Sequence, residues 1–257
     1  MTDILLSEKR DGVLLLTLNR PAKKNAANMA LWLGLAEALD HARDDRDVHV
    51  VVIAGSGGNF CAGADLSEPG AGAAAKNGED APFEVCAKSM ARFDKPLLAA
   101  VSGVAIGGGA TLTFHCDLVY VADSLRMRLP FVSLGMVPEF ASSYLLQANI
   151  GAQRAAELLF SAQWIDAQNA VSSGIAAAQF SDDEVLERTM AKAAEMAQWP
   201  VNALRETKRC LKLPHQQAIA AALEIEREGM NKQVGSPENL EAFSAFLEKR
   251  KADFPGA

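Results

Sequence analysis

Residues 48–55, "VHVVVIAG", hold a continuous β-branched run from Val50 to Ile53. A strand with one wet face alternates apolar and polar residues. A strand that does not alternate is buried on both faces, which calls for covering layers on either side. "KPLLAAVSGVAI" (95–106) begins the same way, and "DLVYVAD" (117–123) is a third such run. Upstream, "ILLSEKRDGVLLLTLNR" reads as two strands joined by a turn at Asp11-Gly12. Helical spacing lies between these runs. In Met29 to Arg43, Leu31, Leu35 and Leu39 share one face with Trp32 and Ala36 beside it, and Ala81 to Phe93 is a second helix.

Beyond residue 139 the pattern turns mostly helical, over about 140–149, 152–160, 166–172, 182–198, 201–211, 215–233 and 237–250. "LRMRLP" and "GIAAAQF" are short strands among these segments. Ser236-Pro237-Glu238 opens the last helix as N-cap, first helical residue and first-turn acid. Alternating strands and helices followed by helices alone predict an α/β layered architecture with a helical C-terminal part. "SEPGAGAAAKNGED" (67–80) is small and polar, a mobile surface loop.

The chain has 257 residues and a formal charge of −7, which gives bulk electrostatics no means of binding nucleic acid. Its four cysteines and four histidines show no metal spacing, so neither a metal nor a disulfide is expected, and the thiols read as reduced in a cytoplasmic protein. The N-terminus lacks the pattern of a signal peptide, "FPGA" is no peroxisomal address, and the longest apolar stretch is too short and Gly-broken to span a bilayer.

Three glycines, Gly107 to Gly109, interrupt "GVAIGGGATLTF" after a buried strand and before an apolar helical segment. Glycine lets another group approach the backbone, and a helix start exposes unpaired N–H donors that stabilise an anionic oxygen. "FCAGADL" (60–66) offers a second such place, so two donors can converge on one oxygen as an oxyanion hole. The glycines can equally serve close helix–strand packing. No P-loop is present, and "GSGGNF" has Phe60 where a dinucleotide fingerprint needs its last glycine.

"FCAGADL" followed by "KPLLAAVSGVAIGGGATLTFHCDLVYVAD", with "LNRPAKKNA" and "SAFLEKRKADF" near the two ends, resembles the crotonase superfamily, the enoyl-CoA hydratases and isomerases. The resemblance covers essentially the whole chain. It implies an α/β spiral of repeated ββα units over about 1–200, and a helical region over about 201–257 that assembles trimers or dimers of trimers. It also implies an acyl-CoA thioester as substrate, with no separate cofactor. The two oxyanion-hole amides fall on Ala64 and Gly108. For coenzyme A the resemblance carries Lys24, Asn25 and Ala26, then Ala62, Asp65 and Leu66, and Phe246 and Lys249 of the last helix, often reaching a neighbouring subunit's ligand. A solvated Lys249 and an Asp65 bonding its own turn are the plain alternatives.

The hydratases of the superfamily use two glutamates, whose positions here hold Thr111 and Phe131. Neither can act as a carboxylate acid or base. "SLGMVPEFASSYLL" (133–146) instead resembles the peroxisomal-type Δ3,Δ2-enoyl-CoA isomerases, whose single catalytic glutamate occupies the place of Glu139. The resemblance departs at Phe140 and Ala141, where those isomerases carry small residues. One carboxylate suffices to move a proton from C2 to C4 of a 3-enoyl thioester through a dienolate. Pro138-Glu139 is also a preferred helix start. Another crotonase-type reaction and a non-catalytic acyl-CoA-binding role remain as alternatives.

Overall fold

The computed structural model describes residues 3–67 and 80–254; most of the loop expected over 67–80 lies outside them. Among the described residues nine strands alternate with helices: β1 (Leu5–Arg10), β2 (Val13–Leu18), α1 (Met29–Asp44), β3 (Val50–Gly55), α2 (Pro82–Arg92), β4 (Leu97–Val101), β5 (Val104–Ile106), α3 (Gly108–Thr111), β6 (Leu118–Ala122) and β7 (Arg126–Arg128). After them come α4 (Ser142–Ile150), α5 (Ala152–Ser161), β8 (Trp164–Ile165), α6 (Ala167–Ser173), β9 (Ala178–Phe180), α7 (Val185–Ala197), α8 (Val201–Lys212), α9 (Gln216–Gln233) and α10 (Pro237–Glu248).

The main sheet runs β1-β2-β3-β4-β6-β9. The β1–β2 hairpin is antiparallel and every other pairing is parallel. Asp11 and Gly12 both have positive φ, 50° and 81°, as a two-residue hairpin turn requires. The unbroken run of β3 is buried because both faces are covered. Val51 and Ile53 face the large core with Leu31, Leu35 and Leu39 of α1 and Met90 of α2. Val50 and Val52 face the other way, into a smaller core with Ala193 and Ala197 of α7. β4 divides alike: Leu97, Ala99 and Val101 join the first core and Leu98 the second.

A second sheet, β5-β7-β8, branches off where the chain leaves β4. β5 also pairs along its free side with Cys61, through Cys61 N–H to the Val104 carbonyl and Ile106 N–H to the Cys61 carbonyl, both at 3.0 Å. This lays the "FCAGADL" segment against the strand that ends in the three glycines. The C-terminal helices follow the amphipathic pattern. The Ser236 hydroxyl accepts from Asn239 N–H, as an N-cap should. Among the described residues, no helix is long and apolar enough to cross a membrane.

One expectation needs correction. The helix predicted from residue 140 starts at Ser142, because Phe140 and Ala141 sit in the left-handed region with φ of 61° and 55°. On α10, Leu240 and Leu247 are exposed at 61% and 70%, while Ala242 and Ala245 face inward.

Candidate active site

Three segments meet at the ends of β3, β5 and α1. Lys24 and Asn25 turn the chain through the left-handed region, φ 49° and 56°, after β2. The buried Asn25 side chain holds that turn: its Oδ1 accepts from Arg20 N–H at 2.8 Å, and its Nδ2 donates to the Ser56 and Asn59 carbonyls at 2.9 and 2.6 Å. Residues 24–27 then pair with 62–65. Ala62 donates to the Lys24 carbonyl, Ala27 to the Gly63 carbonyl and Asp65 to the Ala27 carbonyl, at 3.0, 2.7 and 3.0 Å. The two segments expected to hold coenzyme A are therefore one unit. Asp65 acts inside it: Arg20 donates to its Oδ2 at 2.8 Å, and the Ser67 hydroxyl to its Oδ1 at 2.6 Å. The Ser67 bond and the Arg20 guanidinium hold this carboxyl below its ordinary range against the cost of burial. Leu66 follows at the rim of the pair, half-buried.

This pairing uses the Ala62 and Asp65 amides and the Gly63 carbonyl. Ala64 N–H itself, directed away from residue 27, donates to no backbone carbonyl among the described residues. The same holds for Gly108. Its neighbours are engaged, Gly107 with the Arg128 carbonyl and Ala110 and Thr111 with the Gly107 carbonyl, whereas the Gly108 amide is not. Gly107, at φ 53° and ψ −124°, makes the reversal between β5 and α3 that a side chain would forbid. Glycine is also needed for contact between the two segments. A Cβ at Gly63 would stand 2.6 Å from the Ile106 carbonyl oxygen, and one at Gly109 2.3 Å from that of Cys61. The helix that follows is only four residues long, so what is offered here is a discrete N–H rather than a long dipole.

Glu139 is drawn to the same place. A Cβ built on Gly108 would lie 2.8 Å from Glu139 Oε1 and 3.1 Å from Trp32 Cζ2, so carboxylate and indole close directly over the Gly108 backbone. Burial pushes the Glu139 carboxyl up to about 7, and the charge of Glu226 adds to the effect. The helix-start reading of Pro138-Glu139 does not hold, since α4 begins three residues later with Ala141 as its cap. Thr111 is buried, with its hydroxyl 3.5 Å from the Gly108 carbonyl, and Phe131 is buried in the main core. Glu139 and Phe140 also form the inner wall of a cavity of about 780 Å³ between α2, α8 and α9, to which Phe83, Ala87, Ile219 and Leu223 add apolar surface.

Phe246 is exposed and Lys249 caps the end of α10, which packs through Asn239 on the Leu134 carbonyl. Among the described residues no hydrogen bond or ion pair joins them to 24–26 or 62–66. His115, Cys116 and Asp117 form no nucleophilic triad: the imidazole faces the Phe140 carbonyl, and Asp117 accepts from Lys208 Nζ at 2.7 Å and Leu97 N–H at 2.8 Å.

Glu226 of α9 escapes the sequence reading. It accepts from the Ala141 and Ser143 amides at 2.7 and 2.8 Å, beside Glu139. A signal existed: Ile219, Ala222, Glu226 and Met230 are the buried residues of α9, so a carboxylate occupies a place on its core stripe.

The family model of enoyl-CoA hydratase/isomerase matches residues 8–257. The chain is 36% identical to 2,3-dehydroadipyl-CoA hydratase of Escherichia coli over 256 residues, with all of both chains covered. It is 32% identical to 1,2-epoxyphenylacetyl-CoA isomerase of the same organism over 262 residues, again covering both chains fully. Among solved structures, enoyl-CoA hydratase/isomerase from Pseudoalteromonas atlantica superposes with a TM-score of 0.92 at 32% identity, over 98% of this chain and 100% of that one. With its α/β fold, its helical C-terminal region and its matched length, the chain belongs to the enoyl-CoA hydratase/isomerase family.

Proposed function

We propose that the chain moves the double bond of a 3-enoyl-CoA thioester to position 2. The thioester oxygen accepts from the Ala64 and Gly108 amides. The Glu139 carboxylate takes a proton from C2, the electron pair moves onto that oxygen as a dienolate, and the same carboxyl returns the proton at C4. Each amide aimed at the developing oxyanion contributes about 3–4 kcal/mol. A carboxyl held near 7 is matched to both halves of the transfer. The acyl chain runs past Glu139 toward the cavity lined by Phe83 and Leu223. The paired segments Lys24–Ala26 and Ala62–Leu66 take coenzyme A, and Phe246 and Lys249 serve a neighbouring subunit's ligand in a trimer or dimer of trimers.

The observation that carries the proposal is the Glu139 carboxylate against Gly108, with no second carboxylate at Thr111 or Phe131. The resemblance of residues 133–146 to the peroxisomal-type isomerases supports the same reading. Hydration of a 2-enoyl-CoA is the second reading, favoured by the hydratase named at 36% identity. It would require Glu139 alone to activate water.

A panel of 2- and 3-enoyl-CoA thioesters separates the two. Isomerisation predicts conversion of 3-enoyl substrates with no uptake of water, reduced at least a thousandfold in Glu139→Gln while acyl-CoA affinity holds within a fewfold. Hydroxyacyl-CoA product from 2-enoyl substrates at a comparable rate would favour hydration. Full turnover by Glu139→Gln would remove Glu139 from either mechanism.

A further inference from the structure

The turn carrying Glu139 is strained and is held from outside its own segment. Phe140 and Ala141 are consecutive non-glycine residues in the left-handed region. No side chain of the 139–143 stretch caps α4. The cap comes from 85 residues downstream: both carboxylate oxygens of the buried Glu226 are used, Oε2 by Ala141 N–H and Oε1 by Ser143 N–H. From the other side, His115 Nε2 lies 2.7 Å from the Phe140 carbonyl. Since a carbonyl only accepts, Nε2 carries the proton. Burial pushes this imidazole down to about 3, so it stays neutral. The Phe140 ring is packed between Trp32 and Phe83, at centroid distances of 5.3 and 6.4 Å.

We infer that Glu226 is a positioning residue for Glu139: it grips the Ala141 and Ser143 amides, keeps Phe140-Ala141 left-handed, and so holds the Glu139 carboxylate over Gly108. The inference rests on the reading of Glu139 as the proton-transfer group. Its geometry goes beyond capping α4. A structural cap needs only one acceptor at one amide, whereas this carboxylate spans two amides on either side of Ser142. The bond at Ala141 lies within two residues of Glu139. The neighbouring charges on α9, Glu224 and Arg227, are paired with each other, which leaves Glu226 to the turn.

Glu226→Gln tests it, since the amide has the same shape but only one acceptor oxygen. With a 3-enoyl-CoA, kcat should fall at least tenfold while KM stays within twofold. Hydrogen–deuterium exchange in a peptide covering 138–146 should quicken at least tenfold, with the rest of the chain unchanged. Adding Ala141→Gly, which removes the cost of the left-handed residue, should recover part of the lost kcat. A kcat within twofold of the parent overturns the inference, as does unchanged exchange at 138–146. A rise in KM with kcat retained also overturns it, because Glu226 would then shape the cavity instead. Should Glu139→Gln keep full turnover, the reading of the site fails separately, and the exchange measurement alone judges the grip.

Discussion

Glu139 sits where an ionised carboxylate is unwelcome, and its chemistry follows from that discomfort. Its carboxyl titrates at about 7 instead of the ordinary 4.5. The base form is therefore lost below neutrality, and kcat/KM should rise with pH along a single ionisation near 7; a kcat/KM profile flat from pH 5 to 8 would contradict this. The same shift bears on stability. The unfolded chain ionises this group near 4.5 and the folded chain only near 7, so burial costs stability progressively as pH rises through that interval, up to about 3 kcal/mol. Glu139→Gln should thus melt higher than the parent at pH 8 and alike at pH 4, as seen by calorimetry. At this scale the sequence was legible for residues that act alone. Gly107 stands where only glycine can turn, and the absence of carboxylates at 111 and 131 needs no structure. It was illegible for residues that act through distant partners. Nothing local in the α9 segment tells Glu226 from a solvated glutamate except its place on the core stripe.

The elements divide in the same way. The β3 run and the Leu31-Leu35-Leu39 face of α1 were readable because burial on two faces, or on one, writes a period into the sequence. The start of α4 was not, because the cap that sets it comes from another helix. The contact of the Gly63 and Gly109 backbones with facing carbonyls was readable only as a need for glycine, without its partner. That contact yields a paired prediction. Gly109→Ala places a methyl 2.3 Å from the Cys61 carbonyl oxygen and must push the two donor segments apart. It should destabilise the chain by about 2–3 kcal/mol, as overpacking does, and abolish turnover. Gly34→Ala on α1 meets nothing closer than Leu5 Cδ2 at 3.9 Å. It should raise stability by roughly 0.5–1 kcal/mol and leave turnover intact. Equal effects in denaturant melts would contradict the packing account.

For the whole molecule, a group of exposed apolar residues lies on the last two helices: Ile225 on α9, and Leu240, Phe246 and Leu247 on α10. Such a surface is characteristic of an interface. The chain should sediment as a trimer or a multiple of one, and Leu240→Glu with Leu247→Glu should shift it to smaller species; a monomer at micromolar concentration would contradict this. The central claim is that Ala64 and Gly108 share one thioester oxygen within reach of Glu139. It is tested most directly by a crystal structure with a bound saturated acyl-CoA. The thioester oxygen should lie within about 3.1 Å of both amide nitrogens, with a Glu139 carboxylate oxygen over C2. A thioester seated elsewhere, or its oxygen held by only one of the two amides, would contradict it.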